Sequence, residues 1–294
     1  EGLAFESRRE GMRDGDADHP PIFRAWLARA GKHAFIWLML LTSLFPAYLL
    51  LVVSLKTNEQ FYERPAAITQ PAHWENWANA WHAIAPSIHN TVFFSFCATA
   101  LGTLISLAGA YFFARRKAPF SAFLWNAIII LMMMPTVANL VPMFRLIRDL
   151  GLLNTLTALI LVGASAGLVS SIFILRNFVA DIPQDLFDAA EIDGAGDFRQ
   201  LIMIVIPLSG PILANVGIMQ LMMHWNEFVL PLIIMSDQAR LPVTVQLLRL
   251  AGEYIKFWGP LMAGYALASI PLVVIFIVSM KLFIRGMTEG ASKG

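Results

Sequence analysis

The chain has 294 residues, is 57% hydrophobic and only 14% charged, and carries a formal net charge of +1 at pH 7. Soluble domains are nearer a quarter charged, and here the apolar surplus falls in long blocks, as membrane spans require. That balance excludes a nucleic-acid partner, which asks for a basic face. The single cysteine, Cys97, excludes an intrachain disulfide and reads as a packed apolar side chain.

Residues 1–30 form a polar N-terminal tail, and 1–23, rich in Arg, Glu, Asp and Gly, are expected to be disordered. This lead is longer than the n-region of a signal peptide, so the first apolar block is expected to remain as an anchor. At about 20 residues per crossing, residues 31–294 predict one all-α membrane domain of six spans. They cover about 34–55, 88–114, 120–144, 151–175, 207–230 and 259–281, with a loop at 182–206. If the N-terminus is cytoplasmic, the inner flanks hold twice the lysine and arginine of the outer ones, including Arg115, Arg116, Lys117, Arg176 and Arg199. Such an excess marks the cytoplasmic side. Both termini and the 182–206 loop are therefore predicted inside.

Between the first two spans, HWENWANAW places Trp74, Trp77 and Trp81 at helical spacing on one face. An interfacial helix at headgroup depth and an aromatic platform for sugar stacking both use these residues. The methionines, as in MMMP at 132–135, read as packing and not as metal ligands. Neither a GxxxxGK[ST] phosphate loop nor a GxSxG or HExxH signature occurs, so no catalytic, metal or nucleotide site of the chain's own is expected.

The loop contains DAAEIDGAGDFRQLIMIVIP, residues 188–207. Its pattern predicts a first short helix opened by Pro183 and acidic residues and ended by Gly194, where glycine tolerates a left-handed backbone. Asp197 is expected to cap a second helix from Phe198 toward Ile206, broken by Pro207. Ala189 and Ala190 leave a low surface among Asp188, Glu191 and Asp193, whose carboxylates can accept from basic groups. A helix of this length is marginal alone in water, so it is expected to dock onto a partner.

Asp188-Ala189-Ala190, Gly194, Ile204 and Ile206-Pro207 together resemble the EAA loop of binding-protein-dependent ABC importers, with Asp for the leading Glu and Ile for the Leu before proline. NTVFFSF at 90–96, VPMFRLIRDLGLLNT at 141–155, HWNEFVLPL at 224–232 and the terminal IRGMTEGASKG are similar to the carbohydrate branch, in particular the small membrane subunit of maltose importers. The resemblance runs from about Pro46 to Gly294. It implies a type I importer transmembrane domain in the bacterial inner membrane. The expected partners are a homologous second permease forming a heterodimer, two ABC ATPase subunits that bind ATP and Mg, and a periplasmic or lipid-anchored solute-binding protein.

Asp188, Ala189, Ala190, Glu191, Asp193 and Gly194 are then the expected ATPase-coupling residues. His224, Asn226 and Glu227 are candidates for the translocation path of a sugar or oligosaccharide, because ionisable groups at membrane depth are costly and hydroxylated solutes need hydrogen-bonding partners. Hydrogen bonding between helices is the other reading of the same three residues. The resemblance also implies that the segment 237–258 contacts the binding protein and that the tail from Arg285 reaches the ATPase. An ion-coupled secondary transporter is the rival reading, resting on His224, Glu227 and His89. An ABC permease for a non-sugar solute is another.

Overall fold

A computed structural model describes residues 22–116, 118–134, 136–252 and 256–291, with side chains placed from 29 to 280 apart from a few short gaps. All regular structure among the described residues is helical. Residues 1–21 of the predicted tail, Lys117, Pro135 and residues 292–294 of the predicted C-terminal segment lie outside the described residues. The chain divides into two compact units, 1–52 and 53–294.

The first unit is described by helix α1, Ile22–Ser54, which runs into the second. It starts well before the predicted span at residue 34. From Ala34 to Phe45 it is apolar on every side and exposed, the pattern of a helix that meets lipid or other membrane helices and not water.

The second unit is organised by α3, Glu75–Arg115, a helix of 41 residues. At 1.5 Å per residue it extends about 60 Å, twice the thickness of the hydrocarbon core. The tryptophan stretch is therefore not a separate short helix as expected: Glu75 to Trp81 of HWENWANAW is the N-terminal part of the same long helix. Trp74 and Trp81 are exposed, while Trp77 turns inward and donates from Nε1 to Ser54 Oγ at 3.0 Å. One side of α3 is lined by small residues, among them Ala80, Ser87, Thr91, Ser95, Ala98, Gly102, Ser106 and Ala110, all buried. Without a hydrophobic force between helices in lipid, such residues let backbones approach closely. Along this side pack α6 (Leu156–Ala166), α7 (Leu168–Ala180), α10 (Gly210–Trp225) and α13 (Trp258–Ala291).

Two predicted spans are bent. The fourth is α6 plus α7, which meet at 45° around Gly167, and the fifth joins α9 (Asp197–Leu208) to α10 at 84°. The third, expected as one helix over 120–144, is not continuous. Helix α4 (Ser121–Met132) has 12 residues, about 18 Å of rise, which falls short of a full crossing. A 3-10 turn, Thr136–Asn139, and an amphipathic α5, Leu140–Asp149, follow it. Pro135 lies between the two helices, and a proline disfavours helical backbone at the residue before it. Among the described residues three helices are long and apolar enough to cross a membrane, or five spans if each bent pair is one.

At one end of the unit lie α2 (Asn58–Glu63) and α12 (Val243–Ala251). Lys56 is almost fully buried and donates from Nζ to Pro65 O at 3.1 Å and to Arg64 O. Burial pushes its ammonium below the usual lysine range. Helix α12 is tied to α3, where Val243 N donates to Thr91 Oγ1 at 2.8 Å and Asn90 Nδ2 donates to Ala239 O at 2.9 Å. Of the 237–258 segment, the described part is thus a 3-10 turn, Gln238–Arg240, and α12, both hydrogen-bonded to α3, while residues 253–255 lie outside the described residues.

Candidate coupling site

The 182–206 loop leaves α7 through Asp181-Ile182-Pro183. Pro183 is the extended residue before α8, Gln184–Ile192, and Asp185 sits in the first turn, where the helix dipole favours a carboxylate. Helix α8 closes as expected. Gly194 adopts φ +76°, its N–H donates to Glu191 O at 3.0 Å, and Ala195 N–H donates to Ala190 O at 2.8 Å. This pairing satisfies two carbonyls that the helix leaves open.

The second half differs from expectation. Gly196, not Asp197, is the residue before α9, and no side chain caps that helix. The Asp197 carboxylate is instead ion-paired with Arg116 and lies 3.3 Å from the Tyr111 hydroxyl. A charge partner reached through the fold outcompetes the local cap. The helix also runs through Pro207, because a π-helical stretch, Leu201–Val205, precedes it and Pro207 falls in the first positions of the next turn, where no N–H is needed. The break comes at Ser209.

Asp188, Ala189, Glu191, Asp193 and Gly194 are exposed and Ala190 is half-buried, so all six predicted coupling residues are at least partly accessible. Asp188 accepts from Gln184 Nε2 at 2.8 Å. Helix α8 is fastened inward by Phe187, only 4% exposed, which packs with Ile182, Val205, Tyr111, Leu107 and Val179. Burying one phenylalanine contributes about 1.5–3 kcal/mol, enough to set which face of so short a helix points out.

Ile192, 87% exposed, and Phe198, 75% exposed, are the barest of several apolar side chains on the outside of this loop, which include Leu186 and Met203. Sequence reasoning misses both, although an isoleucine and a phenylalanine among acidic residues of a polar loop are an available signal. It also leaves Arg115, Arg116, Tyr111 and Gln200 as flank or filler, whereas each contacts this loop.

The structure does not bring His224, Asn226 and Glu227 together. His224 is buried, with its ring against Gly163 of α6; a Cβ there would lie 3.3 Å from Nδ1. Asn226 is exposed and donates from Nδ2 to Met222 O at 2.7 Å. Glu227 Oε1 accepts from Leu230 N at 3.2 Å, bridging α10 to α11, Val229–Ile234. Asn226→Ala and Glu227→Gln are expected to insert normally and to lower uptake by no more than about fivefold, the scale of one lost hydrogen bond of about 1 kcal/mol. Uptake normalised to inserted protein measures this, and a much larger fall with normal insertion would put these side chains on the solute path.

Residues 102–289, which hold the 182–206 loop, match the family of binding-protein-dependent transport system inner membrane components. The chain belongs to that family. This permease is 34% identical over 264 residues to the sulfoquinovosyl glycerol transport system permease of Agrobacterium fabrum, covering 87% of this chain and 91% of that one. It is 30% identical over 255 residues to the melibiose/raffinose/stachyose import permease of Bacillus subtilis, covering 85% and 91%. Its fold matches a chain in the crystal structure of a bacterial ABC transporter involved in the import of the acidic polysaccharide alginate. The TM-score is 0.78 at 18% sequence identity, over 90% of this chain and 98% of that one. The permease therefore has the type I ABC importer transmembrane fold and is a multi-pass inner membrane subunit of a transport system that depends on a binding protein.

Proposed function

We propose that the permease is one half of the translocation pathway of an ATP-driven importer for sugars or oligosaccharides, driven through the outward surface of α8. The relatives named above transport glycosides and oligosaccharides, which supports the solute class. A homologous permease completes the pathway as a heterodimer. Two cytosolic ABC ATPase subunits bind ATP and Mg, and a periplasmic or lipid-anchored binding protein presents the solute to the other side. Both termini face the cytosol. The permease itself catalyses no reaction.

One observation carries the reading: a short acidic helix is exposed at Asp188, Ala189 and Glu191 with Ile192 and Phe198 bare beside it, while Phe187 roots it in the core. Apolar side chains left uncovered on a protruding knob fit a cleft in a second protein. Closure of the ATPase pair on ATP moves the two knobs together, and rigid-body rotation of the permeases turns the pathway from one side to the other.

The test is an Ala190→Cys variant in a complex assembled with its ATPase, oxidised in membrane vesicles. A crosslink to the ATPase, with uptake of a labelled oligosaccharide that needs ATP, is the expected result. Uptake driven by an ion gradient without ATP, or an introduced thiol that reacts only from the periplasm, would overturn it.

A further inference from the structure

Arg115 ends α3 and commits its guanidinium to the root of the loop. Nε donates to Val179 O at 3.1 Å, and Nη2 donates to Val179 O at 2.6 Å, to Ala180 O at 3.3 Å and to Ile182 O. Nη1 donates to Gln184 Oε1 at 2.9 Å, and the cation lies 4.4 Å from the centre of the Phe187 ring. These carbonyls close α7, where a helix has no partners of its own for them and where positive charge is favoured. One residue on, Arg116 pairs with Asp197 and donates from Nη2 to the Tyr111 hydroxyl at 3.3 Å. Tyr111, buried, donates to Gln200 Oε1 at 2.7 Å, and Gln200 Nε2 donates to Ala195 O at 3.0 Å. The end of α3 therefore holds the loop on both sides of α8, at its entry through Arg115 and at its exit through Arg116 and Tyr111.

We infer that Arg115 and Arg116 are positioning residues that make α8 and the second span move as one body, so that displacement of the loop reaches α3 instead of being absorbed by the loop. The inference rests on the coupling role proposed for α8. Without these arginines, α8 is joined to the membrane helices by two short connections, 181–183 and 193–196, and by Phe187 in the core. The arginine contacts bridge both. Because α3 packs against α6, α7, α10 and α13, motion given to it is given to the whole second unit.

The test uses the full complex in proteoliposomes, with solute uptake and ATP hydrolysis measured on the same preparation. Arg115→Gln and Arg116→Asp are expected to leave assembly and hydrolysis in place and to lower solute moved per ATP by about tenfold or more, within the range that coupling free energies span. Arg116→Asp combined with Asp197→Arg is expected to restore the ratio, which repair of a merely structural defect would not do selectively. The Arg116–Asp197 pair is partly exposed, so it decides the matter even where Arg115→Gln fails to insert. An unchanged ratio in the single variants, a fall of uptake and hydrolysis in equal proportion, or no rescue by the exchanged pair would overturn the inference. The Ala190→Cys crosslink, made in the complex with both arginines intact, separates the two readings. Its absence removes the coupling role itself, whereas its presence with unchanged ratios removes only the role of the arginines.

Discussion

Gly194→Pro is expected to reduce ATP-dependent uptake by about 100-fold or more, roughly 3 kcal/mol of lost function, while the permease still inserts at its normal level. No neighbour causes this, since a Cβ at Gly194 meets nothing within 4 Å. The cause is the backbone. Gly194 stands at φ +76° and donates its N–H to Glu191 O, whereas proline holds φ near −65° and has no N–H. The closing turn of α8 cannot form, so Asp193 to Gly196 take another path and the outward surface loses its angle to α9. Gly194→Ala is the graded comparison, because a left-handed alanine costs about 1–2 kcal/mol without losing the donor. Gly194→Asn, the residue that best tolerates this conformation after glycine, is expected to be the mildest of the three. Vesicle uptake alongside an immunoblot of inserted protein reads the series, and wild-type uptake by the proline variant would remove the turn from the mechanism.

At Gly102→Leu the expected loss is of the folded permease itself. A Cβ added there would stand 2.8 Å from Gln220 Oε1, 3.0 Å from Ala164 O and 3.3 Å from Ala164 Cα. Two of these atoms are backbone of α6 and cannot swing away, and a leucine adds three more carbons beyond the Cβ. Overpacking of a close-packed site costs about 1–3 kcal/mol and more where backbone must shift. In lipid, where helices are joined by close packing and hydrogen bonds, separation of α3 from α6 also strains the buried bond from Gln220 Nε2 to Ser171 Oγ, 2.7 Å long. Purified yield and thermal stability in detergent are expected to fall sharply, with uptake undetectable. Gly217→Ala is the control, its added Cβ meeting only Thr99 Cγ2 at 3.9 Å, and should behave as the parent does. Equal stability of the Gly102 and Gly217 variants would show that the α3–α6 contact is looser than described.

Much of the site was legible in the chain. Gly194 falls just after a short acidic stretch that can be helical, and only glycine reaches φ +76° cheaply, so the turn that ends α8 follows from local chemistry. The exposure of α8 follows likewise from charge, since Asp188, Glu191 and Asp193 cannot be buried without partners. Long apolar blocks announce α1, α3 and α13 for the same reason. What escaped are the choices made between distant groups. Asp197 had a local cap within reach and took Arg116 instead. Arg115 counted only as a cytoplasmic charge, yet its partners Val179 and Gln184 lie 64 and 69 residues away.

The third span illustrates the same limit from the other direction. Hydropathy runs on through 120–144 regardless of whether the backbone is straight, and the break after Met132 appears only in the folded chain. Transfer free energy, glycine conformation and charge solvation depend on a residue and its near neighbours, so the membrane class, the exposed acidic helix and the closing turn of α8 were there to be read along the chain. Which polar group satisfies which, where helices bend and which apolar side chains remain bare depend on atoms that meet only after folding. Those are the features that join the loop to the helix it is proposed to move.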